Sequence, residues 1–157
     1  MDSQQDAVFI AQAIDLAVAS VERGGGPFGA VVVMNGEVIG RGSNCVTLHN
    51  DPTAHAEVQA IRDACRNIDD FSLAGATLYA SCEPCPMCLS AIYWARLERL
   101  VYAATATEAA AAGFDDSLIA QELQLPAAAR RIETRRLAGD GDAPFRRWRE
   151  KEDKVRY

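Results

Sequence analysis

The chain has 157 residues, 49% of them hydrophobic, so it is long enough for one domain with a sizeable core. Its net charge of −6 argues against a broad nucleic-acid-binding surface. No stretch is long and apolar enough to span a membrane, and the acidic, polar residues 1–6 are not typical of a signal peptide. The five cysteines are an odd number with three clustered, which favours a reducing cytoplasm over a disulfide framework.

The charge is unevenly distributed along the chain. Residues 1–129 hold six arginines, no lysine and sixteen acidic residues, a net charge of −10, whereas residues 130–157 carry +4. A basic end of this kind could bind RNA. Because acidic residues interrupt it, the pattern favours a solvated helix or a contact with an acidic protomer.

The first part of the chain predicts a helix followed by a β-hairpin. Between residues 6 and 23, apolar side chains recur at helical spacing on one face, namely Val8, Ala11, Ile14, Val18 and Val21. The glycines at 24–26 end this helix. Two β-rich runs, at 28–34 and 37–40, flank Asn35-Gly36, which is a strong hairpin signal.

The remaining elements alternate between helix and strand. A loop containing His49 leads to a helix at 54–66, for which Thr53 is the predicted N-cap and Ala56, Ala60 and Ala64 form the close-packing face. The pattern then predicts a strand at 77–81, a helix at 86–96, a strand at 100–103, a short helix at 109–112, a weaker strand at 132–137 and a last helix from about residue 144. This order predicts an α/β fold, a three-layer α/β/α sandwich with a five-stranded mixed sheet, in one domain over residues 1–157.

Two short stretches predict a catalytic zinc site. Zinc prefers thiolate and imidazole ligands, and a reactive zinc keeps one of its four positions open for water. His55, Cys85 and Cys88 supply three ligands, and Glu57 lies close enough in sequence to reach that water. The pattern His-x-Glu followed by Pro-Cys-x-x-Cys is the zinc deaminase signature.

Other interpretations of the cysteines carry less weight. A lone Cys-x-x-Cys is more often a structural zinc site or a redox pair, but here it occurs together with the His-x-Glu pair and Pro84. Together with Cys85 and Cys88, Cys82 has the spacing of part of an iron–sulfur motif. That motif requires a fourth cysteine, and the two remaining cysteines, Cys45 and Cys65, lie in unrelated contexts. Cys82 is therefore predicted to be a non-ligand at the end of a strand.

The sequence resembles the small bacterial guanine deaminases of the cytidine deaminase-like superfamily over nearly its whole length. The residues that carry this resemblance are Gly25-Gly26-Pro27-Phe28-Gly29-Ala30, Asn50-Asp51-Pro52-Thr53-Ala54-His55-Ala56-Glu57, Ser81-Cys82-Glu83-Pro84-Cys85-Pro86-Met87-Cys88, Ile92-Tyr93-Trp94-Ala95-Arg96, Ala112-Gly113-Phe114-Asp115-Asp116-Ser117 and the terminal Tyr157. The resemblance implies a cytoplasmic hydrolase with one zinc ion per subunit that converts guanine and water to xanthine and ammonia. In that reaction Glu57 takes a proton from the zinc-bound water and delivers it to N3 while hydroxide adds to C2.

The resemblance also implies roles in binding the base. Phe28 would stack on the purine opposite His55, although it could equally be a core aromatic. Asn44 would offer a donor and an acceptor to O6 and N7, unless it only forms a turn, and the backbone N–H of Ala56 would serve a base oxygen. The carboxylate of Asp116 would accept from N1–H and relay a proton to departing ammonia. Its alternative role as a helix N-cap suits Asp115 better.

The C-terminal residues 145–157 are expected to form a helix that crosses to a partner subunit of a homodimer. In this arrangement Tyr157 would reach the bound base and crowd its N9 side, which favours free guanine over guanosine. The alternative for the C-terminal residues is a frayed end. The alternatives for the activity are a nucleoside deaminase acting on guanosine and a tRNA adenosine deaminase, which the negative charge disfavours. A structural zinc domain would need a fourth protein ligand, for which Cys82 is the nearby candidate.

Overall fold

The computed structural model describes residues 3–157, which form seven α-helices and four β-strands. The helices are α1 (Ser3–Glu22), α2 (Val46–His49), α3 (Ala56–Ile68), α4 (Pro86–Trp94), α5 (Ala106–Ala111), α6 (Ser117–Gln124) and α7 (Ala143–Glu150). The strands are β1 (Gly29–Met34), β2 (Glu37–Ser43), β3 (Thr77–Cys82) and β4 (Arg99–Ala104). By their contacts the residues divide into two compact units, Met1–Asp116 and Ser117–Tyr157.

All four of these strands belong to one mixed sheet in the first unit. Their order is β2-β1-β3-β4. The β1–β2 hairpin and the β1–β3 pair are antiparallel, whereas β3 and β4 run parallel. The predicted combination of an antiparallel first pair with later parallel strands is therefore confirmed. The predicted fifth strand is wrong within the described residues, which form four.

The fifth strand is absent because its segment has no apolar face to bury. Ile132 and Leu137 are 79% and 72% exposed, and the four residues between them are polar. Instead of pairing with a strand, the chain just before this segment is held against α6. The Nε–H of Arg130 donates to the carbonyl oxygens of Glu122 and Leu125, and the N–H of Arg131 donates to the Glu122 carboxylate.

Helices cover both faces of the sheet. On one face Phe9 of α1 packs with Val31, Val33 and Tyr79. On the other face, α3 and α4 pack through a second buried cluster that contains Ala30, Val32, Ala56, Ala60, Ala64, Leu78, Ala80 and Ile92. Successive residues of a strand point to opposite faces, so the alternation along β1 places Val31 and Val33 against α1 and Ala30 and Val32 against α3. The first unit thus has three layers.

The buried face of α1 is not the apolar face that the sequence pattern picks out. The residues of α1 that are buried are Phe9, Ala13, Ala17 and Ser20, whereas Val8, Ile14, Val18 and Val21 are 40–56% exposed. Small residues face the sheet because the helix lies very close to it. A Cβ at Gly29 of β1 would fall 2.6 Å from the Ala17 nitrogen and 2.8 Å from the Leu16 Cβ.

A second close contact joins α3 to β2. A Cβ at Gly40 would fall 2.5 Å from the Ala60 oxygen and 2.6 Å from the Ala64 Cβ, and a Cβ at Gly42 would overlap the Ala56 oxygen and the Ala60 nitrogen. The predicted close-packing face of Ala56, Ala60 and Ala64 is confirmed, since all three are fully buried. Glycine on the strand and alanine on the helix let the two backbones approach directly.

An ion pair ties α1 to the sheet. The Arg99 guanidinium donates to both carboxylate oxygens of Asp6, at 2.7 and 2.5 Å, and the Tyr79 hydroxyl donates to the same carboxylate at 2.7 Å. These hydrogen bonds, with that from Arg99 the largest cause, hold the pKa of Asp6 below its usual range. Burial, together with the Asp6 carboxylate, raises the pKa of Tyr79 to about 12.

Several element boundaries differ from the predicted ones. Helix α3 begins at Ala56 with His55 as its N-cap, because Thr53 uses its N–H and hydroxyl to bond the Asp51 carboxylate instead. His49, predicted to lie in a loop, ends the short helix α2. Helix α7 ends at Glu150, so the predicted C-terminal helix does not extend to Tyr157. Among residues 3–157, no helix combines the length and the apolar character that a bilayer crossing needs.

Candidate active site

Three potential zinc ligands converge between two helix N-termini. His55 is the N-cap of α3, Cys85 is the N-cap of α4 and Cys88 lies in the first turn of α4. Each cap residue has an extended backbone, and neither side chain forms a capping hydrogen bond to its helix. The His55 Nδ1 atom lies 3.6 Å from the Cys85 Sγ and 3.5 Å from the Cys88 Sγ.

These separations fit a tetrahedral metal ion. Zinc at about 2.3 Å from sulfur and about 2.0 Å from nitrogen separates those two ligand atoms by about 3.5 Å. All three ligand atoms lie within 4.8 Å of one another. The donor set of one imidazole and two thiols matches the softness that zinc prefers, and three protein ligands leave a fourth position for water. The residues present therefore fit a catalytic zinc ion.

The electrostatics of the three ligands also suit a cation. A hydrogen bond from the Cys88 thiol lowers the pKa of Cys85 to about 4. The same bond, together with burial, raises the pKa of Cys88, and the bond with Cys85 raises the pKa of His55. The three side chains thus share protons at a place where two helix N-termini favour negative charge. A divalent ion replaces those protons when it binds.

Glu57 lies beside the ligand cluster in a buried position. It is the second residue of α3 and only 7% exposed. Burial raises the pKa of its carboxyl group above the usual value. A raised pKa makes the carboxylate a stronger base toward the proton that it accepts in general acid–base catalysis.

A cavity of about 730 Å³ opens over this cluster. Five of the residues predicted to act in the site line it together with Cys85, and they are Phe28, Asn44, His55, Glu57 and Asp116. Phe28 combines the two roles considered for it, since it packs against the core and also lines the cavity. Its ring meets that of Phe114 edge-on, with centroids 5.0 Å apart and an interplanar angle of 88°.

The side-chain oxygen of Asn44 already accepts a hydrogen bond from within the protein. It follows β2 and is 7% exposed. Its Oδ1 accepts a hydrogen bond from the Val46 N–H at 3.2 Å, and its backbone N–H donates to the Phe28 oxygen at 3.0 Å. The side-chain Nδ2 makes no hydrogen bond to the described part of the chain. The amide therefore offers N–H donors to whatever occupies the cavity.

Two predicted binding residues are not among those that line this cavity. Ala56 is fully buried at the start of α3, where its methyl group packs in the core, so only its backbone N–H is available to a ligand. Tyr157 belongs to the second unit, is 72% exposed and lines a separate cavity of about 570 Å³ with Phe145, Trp148 and others.

Sequence reasoning from spacing alone missed several cavity residues. Phe114 and Asp115 line the cavity, as do Glu83, Val21 and Thr47. A signal was available for Phe114, because an aromatic residue between glycine and two aspartates is unusual in a loop. Cys82 also lines the cavity, but its Sγ contacts the Thr105 oxygen at 3.7 Å and it is not part of the ligand cluster.

Comparison with known proteins gives consistent results. The family described as the cytidine and deoxycytidylate deaminase zinc-binding region matches residues 3–104. A guanine deaminase from Bacillus subtilis (strain 168) is 50% identical over 151 residues, which cover 95% of this chain and 97% of that protein. A tRNA-specific adenosine deaminase from the same organism is 38% identical over 118 residues, 75% of this chain and 73% of that protein.

A solved structure agrees with the sequence comparison. The X-ray structure of a guanine deaminase from Bacillus subtilis superposes with a TM-score of 0.94 at 48% identity, over 100% of this chain and 99% of that chain. The family match covers about two thirds of the sequence and contains the ligand cluster, Glu57 and the four-stranded sheet. The chain therefore belongs to the cytidine and deoxycytidylate deaminase family of zinc-binding enzymes.

Proposed function

We propose that this enzyme deaminates guanine to xanthine and ammonia. The observation that carries the proposal is that one cavity holds both the buried Glu57 beside the ligand cluster and the carboxylate of Asp116. Guanine presents N1–H next to its reactive C2 amino group, and a carboxylate is an acceptor suited to that donor edge. Cytosine and adenine present a ring-nitrogen acceptor at the corresponding place, which a carboxylate repels.

The proton transfers follow from the position of Glu57. His55, Cys85 and Cys88 would hold the zinc ion, which would make hydroxide available near neutral pH by lowering the pKa of a bound water. Glu57 accepts the proton that this water loses and passes it to N3 of the base while the new C–O bond forms at C2. The C2 amino group takes the second proton of the water through Asp116 and leaves as ammonia. Guanine and water are thus converted to xanthine and ammonia with every atom accounted for.

The remaining contacts orient the base. The Nδ2 of Asn44 donates to O6 or N7, both of which are acceptors in guanine. Phe28 stacks on the purine with its ring fixed by the edge-on contact with Phe114. The backbone N–H of Ala56, at the start of α3, donates to a base oxygen. Stacking and hydrogen bonds of this kind hold C2 near the nucleophile and exclude bulk water.

The test measures ammonia release from guanine, guanosine, cytosine, adenosine and an adenosine-containing tRNA anticodon hairpin. We expect release from guanine, with xanthine as the second product, and loss of that activity when zinc is removed by a chelator and restored by adding zinc. Faster ammonia release from guanosine than from guanine would instead indicate a nucleoside deaminase. Turnover of the hairpin would favour the adenosine deaminase relatives and would contradict the role given to Asp116.

A structural zinc site is the non-enzymatic alternative. It requires a fourth protein ligand, and Cys82 contacts Thr105 instead. The Cys82→Ala variant is expected to bind one zinc ion per chain and to keep its activity. Loss of zinc from this variant, with wild-type protein inactive on all substrates, would support the structural alternative.

The proposal includes a cytoplasmic location, because all five cysteines are free thiols and pairing of Cys85 with Cys88 would destroy the ligand set.

The proposal also includes a homodimer in which the C-terminal segment of one chain closes the site of the other. This is supported by large exposed apolar side chains in that segment, with Phe145 61%, Val155 64% and Tyr157 72% exposed. Charge favours the same arrangement, since the basic residues 130–157 complement the acidic residues 1–129. Deleting residues 145–157 is expected to weaken the dimer in ultracentrifugation and to lower activity on guanine. A dimeric truncated protein with unchanged kinetics would refute this part of the proposal.

A further inference from the structure

Ser20 is a buried polar residue that the proposed reaction does not use. It lies near the end of α1, is 1% exposed and is the one buried polar side chain of that helix. Its hydroxyl donates to the backbone oxygen of Asn44 at 3.1 Å, across 24 residues of sequence. Burying a hydroxyl costs free energy unless it forms a hydrogen bond, so this bond fixes the distance between α1 and Asn44.

The two glycines after α1 complete the contact. The N–H of Gly25 donates to the Ser20 oxygen at 2.8 Å. A Cβ at Gly25 would fall 2.5 Å from the Ser20 Oγ and would overlap the Asn44 oxygen, and a Cβ at Gly26 would fall 2.9 Å from both Cγ and Oδ1 of Asn44. The glycines are required here because the chain passes directly over the Asn44 backbone and amide.

These contacts leave Asn44 little freedom. Its carbonyl is held by Ser20, its backbone N–H by Phe28 and its Oδ1 by Val46. Only the Nδ2 group remains to face the cavity. The orientation that presents this donor thus depends on a hydroxyl that does not line the cavity itself.

We propose that Ser20 is a positioning residue for substrate recognition, because its hydroxyl holds the Asn44 backbone so that the Asn44 amide points its N–H donors into the cavity. This inference rests on the proposed function for the identity of the substrate. The residues around the site then fall into two classes. Some touch the base, and others, such as Ser20, orient the residues that touch it.

The experiment is a double-mutant cycle on guanine turnover. Ser20→Ala is expected to lower kcat/KM by about 3- to 10-fold, which is the range for one lost neutral hydrogen bond, mainly through a higher KM. In the Asn44→Ala background, Ser20→Ala is expected to cause no further loss, because no amide remains to be oriented. Ser43→Ala is the control, since it removes the exposed hydrogen bond from Arg23 to the residue next to Asn44.

A purely structural Ser20 would behave differently. It would lower the folded fraction and apparent kcat equally in both backgrounds, and additive losses in the cycle would overturn the inference. An unchanged KM in the Ser20→Ala variant would also overturn the inference. A second measurement needs no substrate, namely the side-chain amide signals of Asn44 in a ¹⁵N–¹H spectrum, which Ser20→Ala should shift or broaden while Ser43→Ala does not. If wild-type protein does not turn over guanine, the proposed function fails, and these signals alone decide the role of Ser20.

Discussion

Replacing Glu57 with glutamine tests the centre of the proposed mechanism. The amide has nearly the shape of the carboxylate, so it fits the same 7% exposed position, but it cannot accept and return a proton. General acid–base catalysis contributes about 100- to 10,000-fold, and Glu57→Gln is therefore expected to lower kcat by that factor, roughly 2.7–5.4 kcal/mol of activation free energy. Zinc content should not change, because the atoms that form the metal site belong to His55, Cys85 and Cys88.

The assay combines three measurements on the same protein samples. Metal analysis should give one zinc ion per chain for wild type and variant, thermal unfolding should show no loss of stability, and ammonia release gives kcat. Glu37→Gln, which changes an exposed carboxylate at the start of β2, is the control and should keep wild-type kcat. If Glu57→Gln retained more than about a tenth of the wild-type kcat, a loss below roughly 1.4 kcal/mol, Glu57 would not be the general acid–base group.

Three further substitutions test recognition, packing and pH dependence. Asp116→Asn is expected to keep zinc but to lower kcat/KM on guanine at least 10-fold, roughly 1.4 kcal/mol, and equal activity would remove Asp116 from the site. Gly42→Ala is expected to lower the free energy of unfolding by about 1–3 kcal/mol, because the added Cβ would overlap the backbone of α3. Urea denaturation measures this change, and an unchanged urea midpoint would show that the helix can move at no cost. Arg99 holds the pKa of Asp6 below its usual value, so Asp6→Asn should be less stable than wild type at pH 7, and this difference should shrink as the pH falls below about 4. Asp15→Asn, an exposed change on the same helix, is the control, and a difference that persisted in acid would refute the ion pair as its cause.

The parts of the site that short-range spacing specifies could be predicted from sequence. The two cysteine ligands fall into this class, since a helix N-terminus brings a Cys-x-x-Cys pair to one point regardless of the rest of the fold, whereas His55 comes from a different helix. The hairpin at Asn35-Gly36 does as well, and it appears with both residues at positive φ. The three-layer α/β/α arrangement with a mixed sheet followed from the order of the predicted elements, although one strand did not form.

Features that depend on long-range contacts could not be predicted in this way. The buried side of α1 is such a feature, because its apolar residues extend around most of the helix and only the approach of Gly29 selects the alanine side. The start of α3 was also not predicted, although the reason there is a local one. Thr53 has the side chain of a good N-cap, but the Asp51 carboxylate takes its N–H and hydroxyl, and the helix begins three residues later. The orientation of Asn44 likewise depends on Ser20, which is 24 residues away.

The glycine–alanine contact between β2 and α3 links the sheet to the chemistry. Gly42 lies on β2, two residues before Asn44, which follows the strand, and it packs against Ala56, which stands between His55 and Glu57. Because Gly42 has no side chain, the backbone that carries the recognition amide touches the helix turn that carries a metal ligand and the proton carrier. A change in that separation moves Asn44 relative to Glu57 without altering either side chain. Misplacement by 1 Å can cost about 100-fold in rate, so the distance between substrate-binding and proton-transfer groups depends on two residues that contribute no functional side chain.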